Sequence, residues 1–437
     1  MTSTLPTGQP WDVVVIGGGP AGFFAAIRCA ELANAHSAPQ RVLIIERSRR
    51  PLGKVLISGG GRCNVTHACF EPAQLVNYYP RGGAALRGPF TRFQPSDTVQ
   101  WFEKNGVRLK TEADGRMFPV TDRAETIADA LLEAARREGV ILWTETALLG
   151  IEKLALEGDS EQGFQLRLRR DALEREELLS TRRLLLSTGS DRFVGQLIAS
   201  LGHTVIEPVP SLFTFNLNDP RLVDLAGVSV SPASLRLLAE SAAENPAVLP
   251  QQGPLLVTHW GLSGPAALRL SAWGARWLYE RGYRAGLLIN WLPGLTTDSA
   301  FETLQHQRSL PENARKKPAA HVIFPQIPIR LWKRLVEAAG IRESQNWADV
   351  SKVSLRRLAE ELTAGRYQIQ GKGQFKDEFV TCGGVKLDEV DFKTMQSRRV
   401  PGLFFAGEVL DIDGLTGGFN FQNAWTTGWL AGSALGR

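Results

Sequence analysis

The sequence predicts an α/β protein in which a domain built on a parallel β-sheet is interrupted by an insertion. Three observations support this fold class. A strand, a glycine turn, a helix and a second strand follow one another near the start of the chain. From residue 201 to residue 362 the pattern becomes first β-rich and then helical. Residues 363–437 return to a glycine-rich β pattern, which predicts that the first domain is completed by the end of the chain.

The first βαβ unit is the clearest element. Residues 13–16 are a continuous apolar run, as expected for a strand that is buried on both faces of a parallel sheet. Residues 17–22 form a glycine turn, and residues 23–33 are an apolar, alanine-rich helix. Residues 41–45 are a second apolar run that ends at Glu46. This order indicates two parallel strands joined by a crossover helix.

The remaining elements follow in order along the chain. Residues 97–138 carry two helical patterns that each end in a glycine, and residues 141–187 indicate short strands separated by polar turns. The predicted domain boundaries are 1–200 for the first part of the parallel-sheet domain, 201–295 for an inserted β-rich lobe, 296–362 for a helical lobe, and 363–437 for the return of the β lobe and of the first domain.

The charge of the chain argues against a nucleic-acid partner. Its 50 basic and 45 acidic side chains give a net charge of +5, and the basic residues fall in short groups such as 47–50, 182–183 and 315–317. A nucleic-acid surface needs basic residues on one face with interleaved aromatic residues. We therefore expect these groups to be solvated surface or to neutralise an anionic cofactor.

Other sequence features predict a cytoplasmic protein. No apolar run reaches the 18 or so residues that a transmembrane helix needs. The start of the chain has no basic leader and runs directly into a strand pattern. The four cysteines are irregularly spaced, which does not suit a disulfide framework and fits a reducing compartment.

The glycine turn carries a dinucleotide-binding pattern. Gly17, Gly19 and Gly22 form G-x-G-x-x-G between a strand and a helix, and Glu46 ends the next strand. The helix N-terminus would face the pyrophosphate, and Glu46 would accept hydrogen bonds from ribose hydroxyls. Glycines also cluster in 53–61 and 402–418, and an extended FAD needs close backbone approach at several points that are remote in sequence. The sequence therefore favours FAD.

Four stretches of the sequence resemble one known family. Residues 53–67, 255–271, 381–390 and 401–432 are similar to the HI0933-like flavoproteins, a family also called the BaiN/RdsA or aminoacetone-oxidase family, and the resemblance runs from end to end. It implies a Rossmann-like FAD-binding domain of the glutathione-reductase superfamily, with an inserted β-barrel-like lobe and a helical lobe. The chain departs from the family pattern at His67, at 188–193 and at Phe419, which suggests a divergent subgroup.

The resemblance also implies which residues contact FAD. At the pyrophosphate they are Gly17, Gly19, Pro20, Ala21 and Gly22, and at the adenosine ribose Glu46 and Arg47. Beside the ribityl chain and flavin they are Lys54, Ser58, Gly60, Gly61, Arg62, Cys63 and Asn64. Near the adenine half they are Thr188 and Gly189, at the ribityl and pyrophosphate Gly407 and Glu408, and at the isoalloxazine Gly418, Phe419 and Asn420.

Several other residues carry alternative hypotheses. Cys63 and Cys69 lie where dithiol flavoproteins have a redox disulfide, but five residues separate them instead of four, so Cys63 is better interpreted as a small residue in a loop against the flavin. Asp413 either lines the flavin mouth or favours the turn before Gly414, and the same alternatives hold for Asp411. No motif supports a metal ion or a serine nucleophile.

The catalytic acid or base is not identified by a motif, and the electron donor stays open. His67 and His259 are candidates for proton transfer. There is no second G-x-G-x-x-G after residue 150. Either NADH or NADPH therefore visits the flavin transiently, or a small organic substrate such as an amine delivers hydride to N5 and oxygen reoxidises the flavin. A flavin-dependent RNA-modifying or sensor protein is the third hypothesis, and an FAD-dependent oxidoreductase acting on a small molecule is the prediction.

Overall fold

The structure is a computed structural model that describes residues 9–155, 162–170, 175–239, 241, 244, 246, 248–373 and 380–437. The chain forms two compact units. The first contains the residues up to Pro208 together with Thr381–Arg437, and the second is Val209–Val380. The parallel-sheet domain is thus assembled from both parts of the chain that flank the insertion, in agreement with the predicted fold class.

The strands, in chain order, are β1 (Trp11–Ile16), β2 (Val42–Ile45), β3 (Thr66–His67), β4 (Leu109–Thr111), β5 (Arg116–Pro119), β6 (Ile141–Trp143), β7 (Thr146–Ala155), β8 (Gln162–Arg170), β9 (Arg175–Leu186), β10 (Val205–Ser211), β11 (Phe215–Asn216), β12 (Ser229–Leu238), β13 (Gln251–Val257), β14 (Gly261–Ser263), β15 (Ala285–Asn290), β16 (Gly365–Ile369), β17 (Gly371–Lys372), β18 (Val380–Val385), β19 (Val390–Asp391), β20 (Gln396–Ser397) and β21 (Leu403–Phe405).

The helices, in chain order, are α1 (Pro20–Ala35), α2 (Gly53–Ile57), α3 (Pro72–Leu75), α4 (Gly83–Phe90), α5 (Pro95–Lys104), α6 (Ala124–Arg137), α7 (Arg192–Ser200), α8 (Pro265–Trp273), α9 (Ala275–Glu280), α10 (Thr297–Ser309), α11 (Ile329–Ala338), α12 (Lys352–Ala364) and α13 (Phe419–Leu435). Within the described ranges, none of them combines the length and the apolar character needed to cross a bilayer.

The main sheet of the first unit has parallel strands at its centre. Its order is β19-β20-β21-β9-β1-β2-β6, with β8 pairing β9 and β7 pairing β8. The five strands from β21 to β6 run parallel. Ile16 lies opposite both Ile45 and Leu186, and Leu186 lies opposite Phe405. The carboxyl ends of β1, β2, β9 and β21 are therefore level at one edge of the sheet.

Two helices from opposite ends of the chain pack closely in this unit. Three glycines at the C-terminal half and end of α13 face α1, namely Gly428, Gly432 and Gly436. A Cβ added to them would lie 2.6, 2.3 and 2.6 Å, respectively, from main-chain oxygens of α1. Because only a hydrogen fits there, the two helix backbones approach closely. This contact, which runs from Ala21 to Cys29, fixes α1 against the C-terminal segment of the chain.

We expect Gly432→Ala to destabilise the first unit, although alanine is the better helix former. The added Cβ would lie 2.3 Å from the Ala25 oxygen, and such overpacking costs about 2 kcal/mol. Gly195→Ala in α7 is the matched control, since its Cβ would meet Val205 at an ordinary 3.6 Å and should stabilise by up to about 1 kcal/mol. Urea unfolding should give opposite signs for the two variants. Equal effects would mean that α1 and α13 are not in this tight contact.

The first unit also contains a small antiparallel sheet, of order β3-β5-β4, in which His67 lies opposite Arg116. The strands β10 and β18 pair as a two-stranded sheet, and the chain passes between the two units within these strands.

In the described part of the second unit, a seven-stranded antiparallel sheet shares a hydrophobic core with helices. The sheet order is β16-β15-β12-β13-β14-β11-β17. Residues of its strands, such as Leu235 and Leu287, belong to the same core as residues of the helices, such as Trp332 and Leu358. The β-rich and helical segments thus share a core, while the four-part division at 200, 295 and 362 stays a prediction.

Candidate functional site

The carboxyl edge of the parallel sheet collects four segments that the sequence singled out. Gly17 follows β1, Glu46 follows β2, Ser187 follows β9 and Gly407 lies just after β21. Main-chain hydrogen bonds tie these segments side by side: Gly17 N–H donates to Ile45 O at 2.9 Å, and Ser187 N–H donates to Ile16 O at 2.9 Å. In open α/β sheets, ligands bind at this edge.

The three motif glycines have different reasons to lack a side chain. Gly17 has a φ of +109°, and a Cβ there would lie 2.6 Å from Ser187 O. A Cβ at Gly22 would lie 2.1 Å from Gly17 O. A Cβ at Gly19, in contrast, would meet nothing within 4 Å, and its φ of −89° suits any residue. The protein itself does not need glycine at position 19, so the open space is available to a ligand.

The groups around Gly19 suit an anionic ligand. Gly19 is the N-cap of α1, the cap has no side-chain hydrogen bond, and the first turn carries no acidic residue. Pro20 occupies the first turn, where its missing N–H is not needed. The N–H groups at the start of the helix and its dipole therefore favour a phosphate. In the segment after β9, which lies beside Gly17, the buried hydroxyl of Thr188 has no hydrogen-bond partner within the described residues, which leaves it for a ligand atom.

Glu46 and Arg47 lie at the adjoining strand end. The Glu46 carboxylate accepts from Gly18 N–H at 2.8 Å, from Ser48 N–H at 2.7 Å and from the Ser48 hydroxyl at 2.5 Å. Glu46 thus also fixes the glycine turn. The exposed Arg47 forms an ion pair with Asp191 at 3.1 Å. The contact of both residues with an adenosine ribose stays a prediction.

Lys54, Gly189 and Glu408 come together from three remote segments. The Lys54 ammonium forms an ion pair with the Glu408 carboxylate. A Cβ at Gly189 would lie 3.5 Å from the Glu408 carboxylate and 3.7 Å from Lys54 Nζ. Gly407 is fixed by α13 and packs against α1. Its N–H donates to the Thr427 hydroxyl at 2.9 Å, and a Cβ added to it would lie 2.9 Å from the Cβ of Ala21. These contacts join α1, α2 and the segment after β21.

The loop after α2 presents open backbone. Gly60 and Gly61 are exposed with φ values of +69° and +82°, and a Cβ at either would meet nothing within 4 Å. The Ser58 hydroxyl donates to Val55 O at 2.9 Å. Arg62 leaves this loop to pair with Glu112 at 2.7 Å, and its guanidinium lies 4.0 Å from the centre of the Phe118 ring. The structure therefore gives Arg62 protein partners that the sequence did not predict.

Cys63 is placed as a packing residue. Its side chain is fully buried, and burial raises the pKa of its thiol to about 12. Cys69 is half-buried, and its pKa is also raised, mainly by burial. Because the thiolate is the nucleophile in disulfide exchange, both thiols are poorly suited to redox work near neutral pH.

Cys69→Ser should therefore leave flavin reduction unchanged, as expected if no dithiol relays electrons. Stopped-flow absorbance of the flavin band would measure the rate in wild type and variant. A flavin-loaded variant that no longer turns over would contradict this assignment and restore the disulfide hypothesis.

The N-terminus of α13 meets the loop after Cys63. Gly418, its N-cap, has a φ of +92°, and a Cβ there would lie 2.7 Å from the Thr66 backbone. With its amide oriented so that oxygen faces Gly418, Asn64 accepts from Gly418 N–H at 3.0 Å and donates to Thr66 O at 3.1 Å. The Asn420 amide oxygen accepts from Gly414 N–H at 2.8 Å, and the Asn420 amide nitrogen donates to Gly414 O at 2.9 Å. These two hydrogen bonds close the turn that precedes α13.

An aromatic cluster, formed by His67, Tyr78, Tyr79 and Phe419, lies at this helix end. The rings of Tyr78 and Phe419 stack at 4.3 Å between centroids, and the His67 ring lies 4.6 Å from that of Phe419. The Tyr79 hydroxyl donates to Phe419 O at 2.7 Å, and burial raises its pKa well above the usual value. Neither tyrosine was predicted as a site residue from the sequence. The only sign of them there is that two aromatic residues are adjacent.

The two histidine candidates fall in different units. His67 belongs to the aromatic cluster, and its Nδ1 lies 3.1 Å from Gly417 O. His259 is an exposed residue of the second unit, between β13 and β14, with its ring 6.4 Å from that of Trp260.

A buried ion pair supports the segment before α13. Arg81 forms a bidentate ion pair with Asp413, whose side chain is fully buried. Burial alone would lower the pKa of Arg81, but the hydrogen bonds and charge of Asp413 outweigh it and raise the pKa, with smaller contributions from Cys382 and Asp411. Asp413 thus has a structural role in addition to the two that the sequence left open.

Comparisons with known proteins agree with this fold. The family model described as HI0933-like protein Rossmann domain matches residues 11–434. The ribosomal RNA dihydrouridine synthase of Escherichia coli (strain K12) is 32% identical, with 98% of each chain covered. The 3-dehydro-bile acid delta(4,6)-reductase of Clostridium scindens is 28% identical, covering 96% of this chain and 98% of the relative. The solved structure of 3-ketosteroid-delta4-(5alpha)-dehydrogenase from Rhodococcus jostii has a TM-score of 0.51 at 16% identity, covers 100% of this chain and 98% of its own, and shows the shared fold.

Proposed function

The chain belongs to the HI0933-like family of FAD-dependent oxidoreductases, and from that premise we propose that it reduces an electron-poor carbon–carbon double bond. Bound FAD, once reduced, would supply the hydride from N5. The observation that carries the cofactor site is the convergence of the open helix end at Gly19, the buried Thr188 hydroxyl and the Lys54–Glu408 pair at one sheet edge. Two relatives support the choice of reaction, because both of their names describe hydrogen added across a double bond.

This chain's residues would share the work of holding the cofactor. The first turn of α1 and Gly19 would take the pyrophosphate, and the Thr188 hydroxyl would donate to it or to a neighbouring oxygen. Lys54 and Glu408 would lie along the ribityl chain. The open backbone at Gly60 and Gly61 and the N-terminus of α13 would line the ring system, where the helix dipole favours negative charge.

Reduction of a double bond also needs a proton, and we assign its delivery to the Tyr78 hydroxyl. The Tyr78 ring is held against Phe419 at 4.3 Å, at the helix end assigned to the ring system. Hydride would arrive at one carbon, the Tyr78 Oη–H would protonate the other, and water would reprotonate the phenolate. His67, with Nδ1 near Gly417 O, would position the Phe419 ring instead of transferring the proton.

Tyr78→Phe should slow reoxidation of the reduced enzyme by substrate about a hundredfold, the usual effect of losing a general acid. The variant keeps the stacked ring, so FAD content and the rate of flavin reduction should not change. Rapid-mixing absorbance measures both half-reactions. Normal reoxidation by substrate would contradict the assignment of Tyr78, and a control Tyr279→Phe, in the second unit, should behave as wild type.

The electron donor and the reaction direction are tested together. Anaerobic mixing of the FAD-loaded protein with NADH, NADPH and a panel of amines identifies the donor. The reduced protein is then mixed with an α,β-unsaturated ketone and with uridine-containing RNA, and mass spectrometry detects the gain of two hydrogens. Reoxidation by one of these acceptors supports the proposal. Bleaching by an amine, followed by reoxidation by oxygen alone, would establish the amine oxidase alternative instead.

A further inference from the structure

The positive charge of the chain is concentrated in one segment of the second unit. Residues 315–342 contain a single acidic residue, Glu337, and seven basic ones: Arg315, Lys316, Lys317, Arg330, Lys333, Arg334 and Arg342. The segment therefore carries a net charge of +6, whereas the whole chain carries +5, so the rest of the chain is at −1. Taken one at a time along the sequence, the basic groups gave no sign of this imbalance.

The structure puts much of this charge on one helix face. Arg330, Lys333 and Arg334 lie on the solvent side of α11, at the spacing that makes helix residues neighbours. Leu331, Trp332, Leu335 and Val336 form the opposite, buried face. The hydrophobic face anchors the helix in the core of the unit, so the basic stripe is held in a fixed place.

Cations from neighbouring segments extend this stripe. Lys317 and Lys333 line one groove, and Arg330, Lys333, Arg334 and Arg342 line an adjoining groove of about 640 Å³. We call these five residues the basic groove. Its walls also include three carboxylates, those of Asp224, Glu337 and Glu343.

Only part of the positive charge in the basic groove is neutralised. Arg334 pairs with Asp224 at 3.6 Å and with Glu337 at 3.5 Å, and Arg330 donates to the main-chain oxygen of Asp224. Lys317, Lys333 and Arg342 form no side-chain ion pair in the part of the chain that the structure describes. Three cations set along a groove are thus available to an anionic partner.

We propose that the basic groove binds the sugar–phosphate backbone of RNA. Phosphates spaced along a strand match cations spread along adjoining grooves, and contacts to phosphates position a nucleic acid without reading its bases. Release of counterions from the nucleic acid would supply most of the affinity. The claim that the groove holds an RNA substrate rests on the proposed function. The claim that the groove binds RNA is tested separately, without the reductase reaction. This proposal replaces the expectation that nucleic acid is not a partner.

The test is RNA binding by the full-length, FAD-loaded protein. A fluorescein-labelled RNA hairpin is titrated with wild type, with the triple variant Lys317→Ala/Lys333→Ala/Arg342→Ala, and with a control triple variant Arg236→Ala/Arg284→Ala/Lys352→Ala. The control removes the same charge from exposed residues of the same unit that do not line either groove. Fluorescence anisotropy at several salt concentrations gives the Kd and its salt dependence.

We expect the groove variant to bind at least tenfold more weakly and the control less than threefold. The slope of log Kd against log salt should fall by about 2 to 3 in the groove variant, because three phosphate contacts are lost and each removes about 0.7 to 0.9. Equal weakening by both triples, or unchanged binding by the groove variant, would overturn the proposal. So would groove-dependent binding to vesicles of phosphatidylserine without binding to RNA. FAD content and flavin reduction should stay normal, so failure of the reductase reaction alone would leave the binding result intact.

Discussion

Gly19→Val is expected to lose FAD while the first unit stays folded. A Cβ at Gly19 meets nothing within 4 Å and the backbone is not left-handed, so the protein accepts the side chain. The isopropyl group would occupy the space beside the first turn of α1 that the pyrophosphate needs. We expect the Kd for FAD to rise more than a thousandfold, about 4 kcal/mol, whereas the weaker N-cap costs the apo protein only about 1 kcal/mol.

The measurement is FAD titration of apo protein by quenching of flavin fluorescence, with urea unfolding of the same samples. Gly195→Val is the matched control, since its added atoms lie in α7 and contact Val205; it should bind FAD normally. A Gly19→Val protein that binds FAD with unchanged affinity would show that the ligand does not approach α1 as proposed.

Asp413→Ala is expected to have the largest effect on stability. The substitution would leave the Arg81 side chain, which is 18% exposed, without the carboxylate to which it donates two hydrogen bonds. Breaking a buried ion pair by removing one partner costs about 3 to 5 kcal/mol. The double variant Arg81→Met/Asp413→Leu removes both charges and should recover at least half of the loss.

Urea unfolding of the two variants and wild type measures both effects. A cost below about 1 kcal/mol for Asp413→Ala would mean that the pair is solvated. A double variant as unstable as the single one would show that Arg81 has to be charged for another reason, such as its proximity to Asp411.

The sequence was sufficient to locate the glycine turn and the strand ends, and the reason is topological. In a parallel sheet the carboxyl ends of neighbouring strands must lie at one edge, so Gly17, Glu46 and Gly407 converge once their strands are recognised. The motif also predicts close backbone approach at Gly22, which the structure shows against Gly17 O.

Contacts that depend on tertiary packing could not be predicted in the same way. Arg81 and Asp413 are 332 positions apart, and although Asp413 lies in the family-like stretch 401–432, nothing in the sequence pairs it with Arg81. The stacking of Tyr78 on Phe419 likewise depends on how α13 meets the segment after α3. The basic groove was overlooked for a related reason, because Lys317, Lys333 and Arg342 become neighbours only after α11 packs against the core.

The most direct test of the central claim is the flavin content of the purified protein. The account predicts a yellow protein whose absorbance shows the flavin bands and which releases one FAD per chain on denaturation, identified by mass spectrometry. Protein that was purified without flavin should take up FAD at the same ratio. A folded, colourless protein that binds no FAD on reconstitution would contradict the account.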